Sequence, residues 1–320
     1  MKRKILLGRR FEKEGFSGLD KDFDLVYPGK DFFDRDETIR LLGDCEVFVP
    51  GSDFRIDSEI IDNGLKLKLI ANYGVGYDNI DVGYATAKGI VVTNTPDSVT
   101  EPTAELCFGL MLATARRIGF YDRHIRMPGG LKWGLYDNLG VTLYGKTLGI
   151  IGMGRIGQAL ARRALASGMN IIYHNRKPLG RNLEDRYMAR YAGFNELLST
   201  ADFISLNVPA TRDTYHMIGQ KELEMVKPTA IIINAARGNL IDEKALADAL
   251  ENKKIYGAGL DVFGNEPEID EWLKNTEQVV LTPHAGTRTM ESRLEMQKEV
   301  AANIIGFFNG GHIAKVNMPG

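Results

Sequence analysis

The sequence has few cysteines and no excess of charge of either sign. Two cysteines among 320 residues, Cys45 and Cys107, are too few for the disulfide framework of a small secreted protein. Their apolar surroundings favour buried thiols, although the sequence alone leaves a disulfide between them open. With 40 basic and 42 acidic side chains, the formal net charge of -2 creates no field that would attract nucleic acid. We therefore expect no nucleic-acid partner.

Targeting and membrane signals are also lacking. The basic start of the chain contains one short apolar run, Ile5–Leu7, which is too short for the core of a signal peptide. No apolar run approaches the roughly 20 residues that a membrane-spanning helix needs. We find no internal repeat and no low-complexity tract. The sequence therefore predicts a cytoplasmic protein with no membrane partner.

Short apolar runs alternate with helix-period stretches along the chain, which is typical of an α/β fold with parallel strands. A length of 320 residues with 44% hydrophobic side chains suits two domains of about 150 residues each. In the first part, the predicted strands are Lys4–Leu7, Asp24–Tyr27, Glu46–Val49, Leu67–Ala71 and Ile90–Thr93. The predicted helices there are Asp36–Leu42 and Asp57–Gly64, followed by one long, largely buried helix from about Pro102 to His124.

A glycine-rich, irregular connector is predicted over residues 127–145, and the alternating pattern then restarts. The later predicted strands are Lys146–Gly152, Asn170–His174, Phe203–Asn207, Ala230–Asn234, Tyr256–Leu260 and Gln278–Leu281. A helix is predicted over Arg155–Ser167, closed by Gly168, and a last helix over about Met290–Phe308. The pattern therefore predicts two doubly wound sheets.

The glycines Gly152, Gly154 and Gly157 form a G-x-G-x-x-G motif between a predicted strand and a predicted helix. In this context the first glycine permits a tight turn, the second lets a diphosphate approach the backbone, and the third lets the helix pack on the strand. The free N–H groups at the start of the helix, from Arg155 and Ile156 onward, then hold the diphosphate. The alternative is a turn that needs glycine only for packing. We predict a dinucleotide site.

The end of the next predicted strand bears on the choice between NAD and NADP. An NAD site usually has an Asp or Glu here, which accepts from the ribose hydroxyls. This sequence has Asn175, Arg176 and Lys177 instead. Because a 2′-phosphate is attracted by Arg, we predict a preference for NADP(H), with NAD(H) as the alternative. If both cations are only solvated loop residues, they select neither cofactor.

Polar residues follow three later apolar strands. They are Arg237 after the first strand, Glu266 after the second and His284 after the third. In open α/β sheets, ligands bind outside the carboxyl ends of the strands, so these side chains are expected to converge. Taken singly, each has an ordinary structural interpretation: an ion-pair partner, a solvated loop charge and a packing histidine. Their joint occurrence at three strand ends favours a catalytic set.

Several motifs together resemble the D-isomer-specific 2-hydroxyacid dehydrogenase family, and the resemblance covers nearly the whole chain. The matching segments are Asn72–Asp81, Thr103–Glu105, Gly152–Gly157, Asn234–Gly238 with Ile241–Glu243, Gly259–Pro267 and Pro283–His284. The resemblance implies a Rossmann cofactor domain, residues 99–287, inserted into a flavodoxin-like substrate domain, residues 1–98 and 288–320. It also implies a homodimer and an oxidoreductase that interconverts a 2-keto acid and a D-2-hydroxy acid.

The same resemblance assigns roles to the polar residues. His284 would be the general acid–base, a task suited to a side chain whose unperturbed pKa is about 6.5. Glu266 would bond the other ring nitrogen and stabilise the imidazolium. Arg237 would hold the carboxylate of the substrate and polarise its carbonyl. The backbone N–H groups of Val75 and Gly76 would bind the same carboxylate.

Further residues are expected at the cofactor, and no metal site is expected. Asp261 would lie near the nicotinamide carboxamide. The remaining expected cofactor residues are Thr103, Val208, Pro209, Thr214, Ala235, Ala236 and Gly286. Trp133 has two interpretations: it reaches the active site of a neighbouring subunit, or it is an ordinary core residue.

The substrate and one competing class stay open. Glyoxylate or hydroxypyruvate is the first expectation, because these keto acids suit an NADPH-linked reductase, and a 2-ketogluconate-type sugar acid is the alternative. The family resemblance extends to dinucleotide-sensing transcriptional corepressors, which can retain the three polar residues. The absence of long disordered tails favours a metabolic enzyme. Formate dehydrogenases also resemble this fold, but Glu266 stands where their pattern is expected to diverge.

Overall fold

The computed structural model of the protein describes residues 2–317. The chain divides into two compact units. Unit 1 comprises Met1–Val99 and Thr287–Gly320, and unit 2 comprises Thr100–Gly286. Unit 2 is therefore inserted into the sequence of unit 1. Strands and helices are numbered in chain order.

Unit 1 contains a five-stranded parallel sheet with the order β2-β1-β3-β4-β5. Its strands are β1 (Arg3–Leu7), β2 (Phe23–Val26), β3 (Val47–Val49), β4 (Leu69–Ala71) and β5 (Val91–Thr93). Strands β3, β4 and β5 are buried along their whole length, as expected for a parallel sheet that is covered on both faces. The direction of winding reverses between β1 and β3, as in flavodoxin-like sheets.

Helices cover both faces of this sheet. They are α1 (Lys13–Phe16), α2 (Arg35–Leu42), α3 (Ser58–Asn63), α4 (Val82–Ala87) and the C-terminal α13 (Met290–Asn309), with a 3-10 turn at Ser17–Leu19. One core lies between the sheet and α13, and a second lies on the opposite face under α2 and α3. The carboxylates of Asp34, Asp57 and Asp81 accept from backbone N–H groups and so cap α2, α3 and α4.

Unit 2 contains a seven-stranded parallel sheet with the order β12-β11-β10-β9-β6-β7-β8. Its strands are β6 (Thr147–Ile151), β7 (Asn170–His174), β8 (Ala189–Tyr191), β9 (Phe203–Leu206), β10 (Ile231–Asn234), β11 (Gly257–Leu260) and β12 (Val279–Leu281). The winding reverses between β6 and β9, and ligands of such sheets bind at this point. The expected fold class, two doubly wound parallel sheets, is confirmed.

Helices again cover both faces of the sheet. They are α5 (Thr100–Ala115), α6 (Ile118–Ile125), α7 (Arg155–Ala166), α8 (Arg181–Arg186), α9 (Phe194–Thr200), α10 (Gln220–Met225), α11 (Glu243–Glu251) and α12 (Glu271–Asn275), with a 3-10 turn at Gly238–Leu240. Residues of α5 and α7 share one core with the sheet. Residues of α9, α10 and α11 share the core on the other face.

The single long helix predicted from Pro102 to His124 is wrong. The structure has two helices, α5 and α6, because the backbone of Arg117 adopts the left-handed conformation with φ 53°. The carbonyl of Ala115 accepts from the N–H of Val141 at 2.8 Å. A residue of the connector therefore occupies the acceptor that the next helical turn would use. The connector itself forms neither helix nor strand over residues 127–145, as predicted.

Most other elements were predicted with small errors in their bounds. Asn170–His174 is a strand over its full predicted length, and the ends of the other predicted strands differ from the prediction by one or two residues. Strand β8 and several short helices were not predicted, because they carry no clear periodicity. Cys45 and Cys107 are buried and free. Within residues 2–317, no helix is both long enough and apolar enough to cross a membrane.

Candidate active site

The carboxyl ends of three adjacent strands of unit 2 meet at one edge of the sheet. In the parallel register, Asn234 of β10 pairs with Leu260 of β11, and Leu260 pairs with Leu281 of β12. The three loops that follow these strands therefore start side by side. They carry the three predicted catalytic side chains.

Two of these side chains are in direct contact. The Nδ1 atom of His284 lies 2.7 Å from Oε2 of Glu266, and Oε1 of Glu266 accepts from the backbone N–H of Phe263 at 2.9 Å. Burial opposes ionisation of Glu266, but these hydrogen bonds and the charges of His284 and Arg237 outweigh it and lower the pKa of Glu266. The His284 side chain is 46% exposed. An ionised carboxylate thus holds Nδ1 and leaves Nε2 for a second partner.

The loop that carries His284 is held by Asp261, which is 1% exposed. The carboxylate of Asp261 accepts from the hydroxyl of Thr282 at 2.6 Å and from the N–H groups of Ala285 and Gly286 at 2.6 and 2.9 Å. The backbone N–H of His284 donates to the carbonyl of Asp261 at 2.8 Å. Burial raises the pKa of Asp261 although these donors favour its charged form. These contacts hold His284 in the left-handed conformation with φ 49°.

Arg237 lies in a tight turn after β10. The buried side chain of Asn234 donates to the carbonyl of Arg237 at 2.8 Å and accepts from the N–H of Ala236 at 3.1 Å. The next residue, Gly238, packs so closely on the main chain of Phe263 that a Cβ atom would overlap it. This contact requires glycine and presses the Arg237 turn against the loop that carries Glu266. The charge of Arg237 accordingly acts on Glu266.

Glu243 is a part of this site that the sequence did not assign. Its Oε1 accepts from the N–H of Gly264 at 2.8 Å, inside the loop that carries Glu266. Burial raises the pKa of Glu243. The sequence did contain a signal for Glu243, because this residue belongs to the matching segment Ile241–Glu243. Its contact with a loop 21 residues away could not be read from the motif.

The glycine-rich turn lies at the reversal of winding between β6 and β9. Gly152 has φ +96°, and a Cβ there would meet the carbonyl oxygen of Asn207 at 2.6 Å. A Cβ on Gly157 would meet the carbonyl oxygen of Gly152 at 2.5 Å. A Cβ on Gly154 would meet nothing within 4 Å. The turn therefore requires glycine at position 152, and the packing of α7 requires glycine at position 157. Gly154 leaves the space before α7 open.

The start of α7 fits a diphosphate. Gly154 is its N-cap, and no side chain caps the helix. The first N–H groups of a helix have no partner within it, and the helix dipole there favours an anion. Arg155 and Ile156 open the helix, with Arg155 exposed. The geometry thus matches the donor set that a dinucleotide needs.

The residues after β7 separate into a structural member and two exposed cations. The side-chain oxygen of Asn175 accepts from the N–H of Met153 at 2.7 Å and so supports the glycine turn. Arg176 and Lys177 are exposed. Neither cation pairs with an acidic side chain in the part of the chain that the structure describes. In the loop that follows β9, Val208 lies beside Gly152.

Other predicted cofactor residues occupy nearby loops of unit 2. The Thr214 hydroxyl donates to the carbonyl of Pro209 at 2.7 Å and closes the loop after β9. A Cβ on Gly286 would meet Oγ1 of Thr103 at 3.3 Å, so these two residues adjoin. Ala235 and Ala236 follow β10 and are half-buried.

Two predictions concern residues elsewhere. Val75 and Gly76 belong to unit 1, in the loop between β4 and α4. Trp133 is 86% exposed, so its interpretation as a core residue is wrong. No group of three or more His, Cys, Asp or Glu side chains that could hold a metal ion occurs within residues 2–317.

A glycine turn of the kind that binds diphosphates and an imidazole–carboxylate pair, both in one parallel-sheet unit, are typical of a dinucleotide-dependent oxidoreductase. Comparisons with known proteins support the same class. Residues 108–286 match the family described as D-isomer specific 2-hydroxyacid dehydrogenase, NAD binding domain. A glyoxylate reductase of Thermococcus gammatolerans is 43% identical, with 100% of this chain and 99% of the relative covered.

Solved structures are also similar. A glyoxylate reductase from Paecilomyes thermophila has a TM-score of 0.90 at 37% identity, with 98% of each chain covered. An NADPH-dependent glyoxylate/hydroxypyruvate reductase from Sinorhizobium meliloti, in complex with NADP and malonate, has a TM-score of 0.85 at 32% identity. That match covers 100% of this chain and 98% of the other.

The chain belongs to the D-isomer specific 2-hydroxyacid dehydrogenase family. It is an oxidoreductase that uses a nicotinamide dinucleotide and acts on the CH–OH group of 2-hydroxy acids. The resemblance stated from the motifs is confirmed, and so is the choice of an enzyme over a non-enzymatic dinucleotide sensor.

Proposed function

We propose that the protein reduces glyoxylate or hydroxypyruvate to the corresponding hydroxy acid and prefers NADPH. The observation that carries this proposal is the 2.7 Å contact between His284 and Glu266 at the strand ends. The names of the relatives support the choice of substrate, since the glyoxylate reductases of Thermococcus gammatolerans and Thermococcus litoralis are 43% and 44% identical to this chain.

The reaction needs a hydride at the carbonyl carbon and a proton at the carbonyl oxygen. The reduced nicotinamide, when bound, supplies the hydride. His284 supplies the proton from Nε2, because its Nδ1 is engaged by Glu266. The Glu266 carboxylate orients the ring and stabilises the imidazolium before the transfer. In the reverse direction, the neutral imidazole accepts the hydroxyl proton.

Binding of the substrate carboxylate is assigned to Arg237 and to the N–H groups of Val75 and Gly76. A guanidinium presents a planar fork of donors that matches a carboxylate and polarises the adjacent carbonyl. The turn built by Asn234 fixes the backbone of Arg237. We accordingly propose that unit 1 serves the substrate and that unit 2 serves the cofactor.

The glycine turn and the start of α7 would hold the diphosphate of the cofactor. The adenosine ribose would be held by Asn175, Arg176 and Lys177. The other residues proposed around the cofactor are Thr103, Val208, Pro209, Thr214, Ala235, Ala236, Asp261 and Gly286. Because Asn175 replaces the usual carboxylate and two exposed cations follow it, a 2′-phosphate meets attraction rather than repulsion. This charge pattern supports the preference for NADPH.

The test is a panel of keto acids run with both cofactors, followed by loss of absorbance of the reduced nicotinamide. We expect the highest kcat/KM with glyoxylate or hydroxypyruvate and NADPH, and a lower value with 2-ketogluconate. Arg176→Ala should weaken NADPH binding by about tenfold, the size of a lost charge-assisted hydrogen bond, and leave NADH binding nearly unchanged. A clear preference for a sugar acid, or equal losses for both cofactors, would contradict the respective part of the proposal.

We also propose that the protein forms a homodimer through the segment 118–144 of unit 2. Eight of the fifteen large apolar side chains that are exposed among the described residues lie in this segment. Trp133, Leu135 and Tyr136 are 80% exposed or more. Exposed large apolar side chains concentrated in one segment support an interaction site there.

A further inference from the structure

Three consecutive carbonyl groups in unit 1 are each held by a side-chain amide. The Nδ2 atom of Asn72 donates to the carbonyl of Gly74 at 3.0 Å and to that of Gly76 at 2.7 Å. The Nδ2 atom of Asn94 donates to the intervening carbonyl of Val75 at 2.9 Å. We call Asn72 and Asn94 the amide clasp. It engages every carbonyl of the segment Gly74–Gly76.

Both members of the clasp are themselves anchored. Asn72 is fully buried, and its backbone N–H donates to the carbonyl of Thr93 at 2.9 Å. The backbone N–H of Asn94 donates to the carbonyl of Ala314 at 3.1 Å, and its carbonyl accepts from Nδ2 of Asn303 at 2.9 Å. Because neighbouring elements fix these residues, their amides hold the loop in one orientation.

Unlike these carbonyl groups, the N–H groups of the same peptides are not engaged by the clasp. Neither the N–H of Val75 nor that of Gly76 donates to an acceptor within residues 2–317, and both residues are half-buried. The carbonyl of Gly74 shares a peptide group with the N–H of Val75, and the carbonyl of Val75 shares one with the N–H of Gly76. A hydrogen bond to a carbonyl polarises its peptide and strengthens the N–H of that peptide as a donor.

We propose that Asn72 and Asn94 are positioning residues for substrate binding. By holding and polarising the carbonyls of Gly74 and Val75, the clasp presents the next two N–H groups as a preorganised pair for the carboxylate of a 2-keto acid. This inference rests on the proposed function, in which Val75 and Gly76 bind that carboxylate.

The experiment compares Asn72→Ala and Asn94→Ala with a matched control, Asn317→Ala. Asn317 is also a buried amide of unit 1, and its Nδ2 donates to the carbonyl of Ile90 at 2.9 Å, outside the clasp. For each variant of the full chain we would measure kcat and KM with glyoxylate, the Kd of NADPH and the melting temperature. The Kd of oxalate, a carboxylate that cannot be reduced, reports on anion binding without turnover.

Each clasp variant should raise the KM for glyoxylate and the Kd of oxalate together, by about tenfold, since the anion loses aligned and polarised donors. The kcat should change less than KM, and the Kd of NADPH should stay unchanged. Asn317→Ala should lower the melting temperature without changing KM. A purely structural role would give the clasp variants the same behaviour as this control.

The inference is overturned if both folded clasp variants keep the KM and the oxalate affinity of the wild type. If Asn72→Ala does not fold, Asn94→Ala still decides the question, because Asn94 is only half-buried. A wild-type protein that neither reduces a keto acid nor binds oxalate would instead defeat the proposed function, and the clasp with it. The two failures are therefore distinguishable from the wild-type measurement alone.

Discussion

At the scale of single residues, the site depends on a histidine in an uncommon backbone conformation. His284 has φ 49°, a region that non-glycine residues rarely adopt and that costs free energy. The hydrogen bonds that Asp261 accepts from its loop offset this cost and fix the direction of the imidazole. The conformation is therefore imposed by tertiary contacts around the loop.

Replacing the imidazole should separate chemistry from binding. His284→Gln should lower kcat by about 10²–10⁴-fold, the usual contribution of a general acid–base, and leave the Kd of NADPH intact. Steady-state kinetics and a fluorescence titration of NADPH would measure both quantities. Turnover close to that of the wild type would rule out the assignment of His284.

The carboxylate of Glu266, the partner of His284, leads to a prediction about how stability depends on pH. The pKa of Glu266 is lower in the folded protein than in the unfolded chain, despite its partial burial. A carboxyl group with a lowered pKa stabilises the fold at pH values above its pKa in the unfolded chain, which is about 4.3. This contribution is lost as the pH falls through the pKa of the same group in the folded protein. The stability difference between wild type and Glu266→Gln should hold above pH 5 and shrink below about pH 4. Urea unfolding at several pH values measures it, and a constant difference would contradict the shift.

At the scale of elements, the glycine turn combines two roles that single substitutions can separate. Gly157 has no room for a side chain, whereas Gly154 borders open space at the start of α7. Packing thus requires Gly157, whereas the proposed binding of the cofactor concerns Gly154. A binding motif read from sequence does not distinguish the two.

Two alanine variants make this difference measurable. Gly157→Ala should destabilise the protein by about 1–3 kcal/mol, as overpacked substitutions do. Gly154→Ala should keep the melting temperature and weaken NADPH and NADH binding alike, because a methyl group enters the space of the diphosphate. Calorimetry of unfolding and of binding tests both. Unchanged cofactor affinity in Gly154→Ala would mean that the diphosphate does not lie over that residue.

Element prediction succeeded where the pattern was local and failed where a distant residue intervened. Strand β7 has its predicted bounds because its apolar run is flanked by polar residues. The predicted helix through Ala115 is interrupted because Val141, far along the chain, takes the carbonyl of Ala115. Nothing in the apolar periodicity of residues 102–124 signals that contact.

At the scale of the whole molecule, the exposed apolar segment predicts the oligomeric state. We expect a species of twice the 35.5 kDa chain mass in light scattering after size exclusion. Leu135→Asp should convert it to a monomer, because a charge cannot be buried unpaired in an apolar interface. Leu65→Asp is the control, since Leu65 is 83% exposed but lies in unit 1. A wild-type monomer would contradict the proposal.

The sequence by itself determined the fold class, the glycine turn and the residue types at the strand ends. These follow from local periodicity and from spacing within one strand–turn–helix unit. Only the tertiary structure decided which nitrogen of His284 meets Glu266, how Asp261 and Glu243 hold the loops, and where α5 ends. The physical reason is that each of these depends on hydrogen bonds between residues distant in the chain, whose geometry exists only after the strands have packed in register.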